Sequence, residues 1–512
     1  MKILVTGGTG VIGVATLPQL LKAGHEIRLL SRHADQEVAQ FPAGVEAFPA
    51  DLTAPADLPA AVAGCDAVIH IAGIDAEQPP ELTFEKVNVE GTRHLCAAAA
   101  AAAPAPFLVF VSSLGADRGE SAYHRSKLAA EQVVHGYAGP WLILRPGAVY
   151  GPGDETISTL LKMVRSLPAV PVVNHGDQKF QPLWCDDFGR AIAAAVGRPQ
   201  LAGRTLELAG PDVTTTNEVL DQLGQITQRH PARLPVPAPL AAAGTRAAEA
   251  LGHLADHWAQ NAGLGLPINT ARLQMLLEEN VIPPGRPNAL IDTFGVAPTR
   301  LSDGLEWLAD LLPEQTPGEG VGAVERTVYS AEIVGSRYTP AELIDIVCEH
   351  LSDLMPIEFA AEPGAPTAAR GKGVTMTGSI PGRGHIQVRM IERAETSATF
   401  VTVQGHPLAG VLTFAAERET PGLRFLIETV TQPANVLDWV TLRTIGGAMQ
   451  SQNWRSVVRQ VVDASGGAAP EGVQKHRERL GEHELQTFNE RIRELVAAQK
   501  RTEIEHTIQR TS

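Results

Sequence analysis

The chain has 512 residues, a length that calls for two or three hydrophobic cores rather than one. With 44% hydrophobic and 19% charged residues it has the balance of a folded globular protein, not of a disordered one. A formal net charge of −15 sets nucleic acid and anionic membrane surfaces aside as principal partners, because phosphates attract basic surfaces.

The first residues, "MKILVTGG", already carry a strand pattern, so no signal peptide is expected ahead of the fold. Cys65, Cys96, Cys185 and Cys348 lie far apart without CxxC spacing, which predicts free thiols in a reducing compartment and no metal site. A cytoplasmic protein is the simplest expectation. From residue 1 to about 312 the apolar runs "KILVTG", "EIRLLSR", "AVIHIAG", "FLVFVSS" and "WLILRPG" alternate with helical segments. Continuous apolar strands between helices predict a doubly wound parallel sheet covered on both faces. The alanine run 97–103 is helical in pattern and too short to span a bilayer, so no membrane span is expected.

Within this α/β region, "VTGGTGVIGVATLPQLL" follows the first strand and leads into a helix. Gly7, Gly10 and Gly13 let the backbone turn tightly around Val11 and Ile12 and let a pyrophosphate approach the helix N-terminus, where free N–H groups favour anions. The second strand ends in Ser31 and Arg32 instead of a carboxylate that would hold a ribose diol. A guanidinium there suits a 2′-phosphate, so NADP(H) is expected over NAD(H). Asp51 and Leu52 in "PADLT" are placed to flank the adenine, and Ala72 and Gly73 in "HIAG" to let the cofactor backbone pass. Tyr123 and Lys127 in "SAYHRSK" stand one helical turn apart on a shared face, either an acid/base pair or surface decoration. Asp186 and Asp187 open a later helix and are expected as its caps.

"LPEQTPGEGVGA", 312–323, is rich in Pro and Gly, and residues 313–324 are taken as a linker. Beyond it, 325–468 has the pattern of an α+β domain: a strand over 326–335, a helix over 339–354 capped by Thr339, four consecutive strands, and a long helix from about Asn435 to Asp463. The remainder, 469–512, is a charged helical tail in which Leu485, Phe488, Ile492 and Leu495 recur at helical spacing as a packing face.

Taken in order, "TGGTGVIG", "ADL", "HIAG", "VNVEGT", "VSSLGA", "YHRSK", "LRPGAVYGPGD" and "LWCDDFGRAI" resemble the short-chain dehydrogenase/reductase superfamily, in its extended or atypical, epimerase/dehydratase-like branches, over about 300 residues. The resemblance implies a Rossmann-type fold in which Tyr123 donates or accepts the proton. Lys127 would hold the nicotinamide ribose and lower the phenol's pKa from its usual value of about 10. Ser113, with Ser112 as the neighbouring alternative, would orient the reacting carbonyl. Pro146, Gly147 and Ala148 would offer backbone groups to the carboxamide, and Tyr150 would approach the substrate cavity. Nucleotide-sugar epimerases of this kind carry an arginine where this chain has Gln181, Pro182 and Leu183, so a smaller or more apolar carbonyl compound is expected as the substrate.

The second domain resembles, in topology alone, START-like and polyketide-cyclase-like helix-grip domains, which implies an apolar ligand between sheet and helix or a solid core. The main expectation is an NADP(H)-dependent oxidoreductase acting on a small molecule. An epimerase or dehydratase working through a keto intermediate would use the same residues. A non-catalytic NADP(H)-binding protein, structural or redox-sensing, stands as the alternative from another class. Segments 92–103 and 124–136 are the candidates for the four-helix seam of a homodimer.

Overall fold

Seven apolar runs take their places in one parallel sheet of the computed structural model, which describes residues 1–239, 274–275, 277–354, 368–369, 372–380, 384–441 and 447–509. The strands are β1 (Lys2–Thr6), β2 (Glu26–Ser31), β3 (Val45–Pro49), β4 (Ala67–His70), β5 (Phe107–Val111), β6 (Trp141–Pro146) and β7 (Arg204–Leu208), in the order β7-β6-β5-β4-β1-β2-β3. The order reverses between β1 and β4, which opens a crevice at the carboxyl ends of the strands where doubly wound folds bind ligands. Every residue of β4 and β5 is buried, because helices cover both faces.

The helices that matter for the site are α1 (Val11–Lys22), α2 (Gly91–Ala100), α3 (Ala122–His135), α4 (Ile157–Ser166) and α5 (Cys185–Val196). Leu17, Leu20, Phe188 and Ile192 bring α1 and α5 onto one face, whereas Leu95, Ala130 and Val134 bring α2 and α3 onto the other. The α1–α5 crossing is close: a Cβ on Gly189 would lie 2.6 Å from the Ala15 carbonyl oxygen.

After α6 (Leu301–Leu311), a two-residue strand β8 (Glu314–Gln315) leads into a second, antiparallel sheet. Its members are β9 (Glu325–Ile333), β10 (Thr375–Ile380), β11 (Gly384–Ala394), β12 (Ser397–Val403), β13 (Leu408–Glu419), β14 (Gly422–Pro433) and β15 (Gln474–Arg479). They run β10-β11-β12-β13-β14-β9-β15, with β8 added on β12. Helices α7 (Pro340–Glu349), α8 (Leu351–Leu354) and α10 (Gly447–Ser465) pack Leu343, Ile344, Val457 and Val461 against Phe400, Phe414 and Phe425 on one face. Thr339 caps α7 in a reciprocal pair with Glu342, as its position predicts. The long helix expected over 435–463 is observed as α9 (Val436–Thr441) and α10, with 442–446 outside the described residues. Within 313–324, the largely covered side chain of Glu314 is ion-paired with Arg389, whose Nη2 also donates to the carbonyls of Asp310 (2.8 Å) and Leu312 (3.1 Å).

The charged tail begins with β15, exposed along its length and paired with β9, and ends as α11 (Glu482–Gln509). Its apolar stripe faces the second sheet: Ile492 is buried among Ile391, Val401 and Val411, with Phe488 and Leu495 beside it. The same helix reaches α1 and the turn Val38–Gln40, and Ile504 packs on the core of the first sheet. Among the described residues no helix is long and apolar enough to cross a membrane. Placing a carboxylate in the apolar setting of Ile492 should cost about 3 kcal/mol or more. Ile492→Asp should therefore free α11, read as rapid tryptic cleavage at Arg491, Arg493 and Lys500; protection equal to wild type would show that the stripe does not anchor the helix.

Candidate active site

The glycine loop between β1 and α1 shows which of its residues are forced by packing. Gly7 has φ +70°, and a Cβ there would lie 2.6 Å from the Ala72 amide nitrogen. A Cβ on Gly13 would lie 2.3 Å from the Gly7 carbonyl oxygen. Gly10 differs, since its Cβ would meet nothing nearer than the Gly7 oxygen at 3.7 Å. The space beside it lies at the start of α1, a helix with no side-chain cap and no acidic residue in its first turn. Uncapped N–H groups and open room together fit a pyrophosphate. Val11 and Ile12, half-buried, anchor this first turn on the cores beneath.

Arg32 lies exposed past the end of β2 and makes no ion pair among the described residues; the Ser31 hydroxyl accepts from the His33 amide at 3.3 Å. Asp51 is occupied locally, its Oδ1 accepting from the Thr53 amide (2.8 Å) and hydroxyl (2.9 Å), while Leu52 is buried.

Across the crevice, Lys127 is 4% exposed, and its Nζ donates to the Val111 carbonyl at 2.8 Å and lies 4.8 Å from the centroid of the Phe110 ring. Burial lowers its pKa from 10.5 to about 8, with the Glu131 carboxylate opposing. Gly73 borders the same spot: a Cβ on it would stand 3.6 Å from Lys127 Nζ and 3.1 Å from Asn88 Oδ1. Tyr123 is half-buried on the first turn of α3, and the Ser113 side chain is near enough to bear on its phenol. Burial is the main cause raising the phenol's pKa above its ordinary value, the charge of Asp75 adds to it, and the Ser113 side chain opposes. The Lys127 ammonium, one helical turn along, is bonded to the Val111 carbonyl. Ser112, the neighbouring alternative to Ser113, donates instead to Glu131 at 2.5 Å. Glu131 is wholly buried and held by both Nε (2.8 Å) and Nη2 (2.7 Å) of Arg145, which ties α3 to β6.

Asn88 belongs to this constellation although its residue type alone did not mark it. It is 2% exposed in a π-helical stretch, Glu85–Glu90, that runs into α2. Its Oδ1 accepts from the Ile74 amide (2.8 Å), and its Nδ2 donates to the Ile74 carbonyl (2.9 Å) and to Ser126 Oγ (3.0 Å). Ser126 in turn donates to the Tyr123 carbonyl at 2.7 Å. The available signal was "VNVEGT", an amide in an otherwise apolar helical face.

Three expectations need correction or qualification. Tyr150 is packed into the core rather than open to a crevice: it is 1% exposed, packs edge-on to Trp184 at 5.2 Å, and is accommodated because Gly304 has no side chain. Asp186 and Asp187 do not cap α5 through their side chains. Asp187 accepts instead from the Thr299 amide (2.6 Å) and hydroxyl (3.0 Å), and exposed Asp186 accepts from Trp184 Nε1 (3.2 Å). In the turn after β6, the Pro146 carbonyl accepts from Leu114 (2.8 Å), the Gly147 amide donates to Leu208 (2.7 Å) and the Ala148 carbonyl accepts from Leu183 (2.9 Å). Those three groups are therefore already paired. Gln181 Nε2 donates to the Gly210 carbonyl (2.7 Å) and its Oε1 accepts from the Ile282 amide (3.1 Å), which leaves a neutral, backbone-tied group at that position.

A parallel sheet with a reversal of strand order, an open glycine loop, and a Ser–Tyr–Lys–Asn cluster define the class: a Rossmann-type α/β domain with a candidate dinucleotide site. Residues 3–209 match the model of the NAD dependent epimerase/dehydratase family. The chain is similar to a ceramide reductase of Caulobacter vibrioides, 28% identical over 290 residues, 56% of this chain and 87% of that protein. It is also similar to NADH dehydrogenase [ubiquinone] 1 alpha subcomplex subunit 9 of Arabidopsis thaliana, 28% identical over 246 residues, 47% of this chain and 61% of the relative. A 3-beta-hydroxysteroid dehydrogenase of Mycolicibacterium neoaurum is 31% identical over 189 residues, 30% of this chain and 50% of that one. Among solved structures, a UDP-glucuronic acid 4-epimerase of Bacillus cereus in complex with UDP-glucuronic acid and NAD aligns with a TM-score of 0.47 at 18% identity, over 61% of this chain and 98% of the other.

Folded Lys127 holds its proton less tightly than the unfolded chain does, so the stability this group contributes is complete above its unfolded value of 10.5 and is lost as pH falls through about 8. Lys127→Met should therefore be more stable than wild type at pH 7, by about 1 to 3 kcal/mol, with the gap closing toward pH 10. Thermal melts across that range decide the point, and a gap independent of pH would mean that the ammonium is not buried at a cost.

Proposed function

We propose that this protein is an NADP(H)-dependent oxidoreductase that interconverts a carbonyl and a hydroxyl on a small, apolar substrate, with Tyr123 as the acid/base. The observation that carries the proposal is that Lys127 and Asn88 meet at Gly73, at the carboxyl ends of β4 and β5, with Tyr123 one turn earlier on α3 beside Ser113. The bound dinucleotide supplies the hydride. Gly7, Gly10 and Gly13 with the first turn of α1 would hold its pyrophosphate, and Arg32 a 2′-phosphate. Ser31, Asp51 and Leu52 would border the adenosine, and Ala72, Gly73, Lys127 and the turn Pro146–Gly147–Ala148 the nicotinamide end.

Ser113 donates toward the reacting oxygen while Tyr123 gives or takes its proton. A phenol raised by burial keeps its proton through neutral pH, which suits the reducing direction. Lys127, whose pKa is about 8, is still largely an ammonium at pH 7, and that charge would draw the phenol down when the reaction runs toward oxidation. The neutral, tethered Gln181 disfavours a nucleotide diphosphate and supports a small uncharged substrate. The similarity to proteins named as a ceramide reductase and a 3-beta-hydroxysteroid dehydrogenase points the same way, toward apolar alcohols and ketones.

For the second domain, the order strand, two helices, five antiparallel strands and a long helix supports a START-like helix grip. Among the described residues its inner face is filled by Phe400, Phe414, Phe425 and Trp454, and no ligand is assigned to it.

Tyr123→Phe should lower NADPH oxidation across a panel of aliphatic and alicyclic ketones by about 10²- to 10⁴-fold while NADPH still binds. Unchanged turnover in that variant, or wild-type protein that binds NADPH and reduces nothing in the panel, would favour a non-catalytic dinucleotide-binding role. Arg32→Ala should weaken NADPH about tenfold or more and leave NADH unaffected, measured by fluorescence titration. Equal loss for both would remove the 2′-phosphate assignment.

A further inference from the structure

One carboxylate outside every motif reaches the start of the helix that carries Tyr123. Glu278, 20% exposed, accepts with Oε1 from the Glu120 amide at 2.8 Å and from the Ser121 amide at 2.5 Å. Its Oε2 accepts from Nδ1 of His124 at 2.5 Å. Ser121 is the N-cap of α3, and its hydroxyl accepts from the His124 amide at 3.2 Å. The carboxylate thus bonds two N–H groups at the head of a 14-residue helix, where a negative charge also meets the positive end of the dipole.

His124 carries the restraint into the loop that follows Ser113. Its ring is 2% exposed and lies under Gly115 and Gly119. A Cβ on Gly119 would stand 2.3 Å from His124 Nδ1 and 2.6 Å from Glu278 Oε2; one on Gly115 would stand 3.0 Å from His124 Nε2. Nε2 is buried with no partner among the described residues, so a proton there would be an unpaired buried donor, whereas Nδ1–H is bonded to the Glu278 carboxylate. The ring centroids of Tyr123 and His124 are 5.4 Å apart. One anionic group therefore clamps both sides of the site, the turn bearing Tyr123 and the loop bearing Ser113.

We propose that Glu278 is a positioning residue for Tyr123, acting through the head of α3 and through His124 so that the phenol and the Ser113 hydroxyl keep one mutual geometry. The proposal rests on the oxidoreductase function proposed above, and its test does not require turnover.

The chain has five tyrosines, so 3-fluorotyrosine labelling gives five ¹⁹F resonances, and Tyr123→Phe identifies that of Tyr123. In Glu278→Ala the Tyr123 resonance should shift and broaden while the other four stay in place. Amide hydrogen exchange at Glu120 and Ser121 should accelerate about tenfold or more, as expected for the loss of hydrogen bonds to a charged acceptor. Glu278→Gln, which keeps an oxygen for the two amides, should fall between Ala and wild type. A Tyr123 resonance in Glu278→Ala that coincides with wild type overturns the proposal, and so does a variant in which all five resonances move together, because that reports general loss of fold. Failure of the oxidoreductase function would show separately, as Tyr123→Phe with unimpaired turnover and the ¹⁹F comparison intact.

Discussion

A lysine ammonium sealed at the carboxyl edge of a parallel sheet is the constraint on which this site depends. Lys127 is 4% exposed, so its charge needs a partner, and the structure supplies the Val111 carbonyl at 2.8 Å and the face of Phe110. Both partners belong to the end of β5, so the ammonium fixes the height of α3 against the sheet. Tyr123, one turn earlier, is thereby set beside Ser113 just past the same strand. A fold selected for stability alone would place an apolar side chain there; the proposed proton transfer gives a reason to retain a cation instead.

The supports around this lysine are spread along the chain. Asn88 fixes the loop after β4 and reaches α3 through Ser126. The buried Glu131–Arg145 pair fixes α3 to β6 and takes up Ser112, which keeps the adjacent hydroxyl distinct in role. The second sheet buttresses the domain from outside. Arg165 of α4, 2% exposed, donates to Gln387 Oε1 at 2.8 Å and to the Ala309 carbonyl at 2.9 Å, and α11 leans on α1, the helix that carries the glycine loop.

What could be read from the chain alone was whatever is encoded locally. The continuous apolar strands, the glycine spacing and the Thr339 cap each depend on a few adjacent residues, and the structure places them as their patterns require. The stripe Phe488, Ile492, Leu495 announced a packing face for the same reason. Features set by distant neighbours were not legible. Tyr150 turns inward because Gly304, over 150 positions later, leaves room for its ring. Asp187 staples Thr299 rather than its own helix. β15 has the composition of a solvated segment and is a strand only because β9 offers an edge. The resting state of the phenol likewise depends on its burial and on the charge of Asp75, which no spacing reveals.

The central claim is that one dinucleotide spans from Arg32, past the glycine loop, to Lys127 and Tyr123. A crystal structure of the complex with NADP⁺ tests it most directly. The account predicts the 2′-phosphate against Arg32, the pyrophosphate at the head of α1, and the nicotinamide ribose within hydrogen-bond reach of Lys127 Nζ. A dinucleotide bound elsewhere, or in this crevice with its nicotinamide turned away from Tyr123, would contradict it.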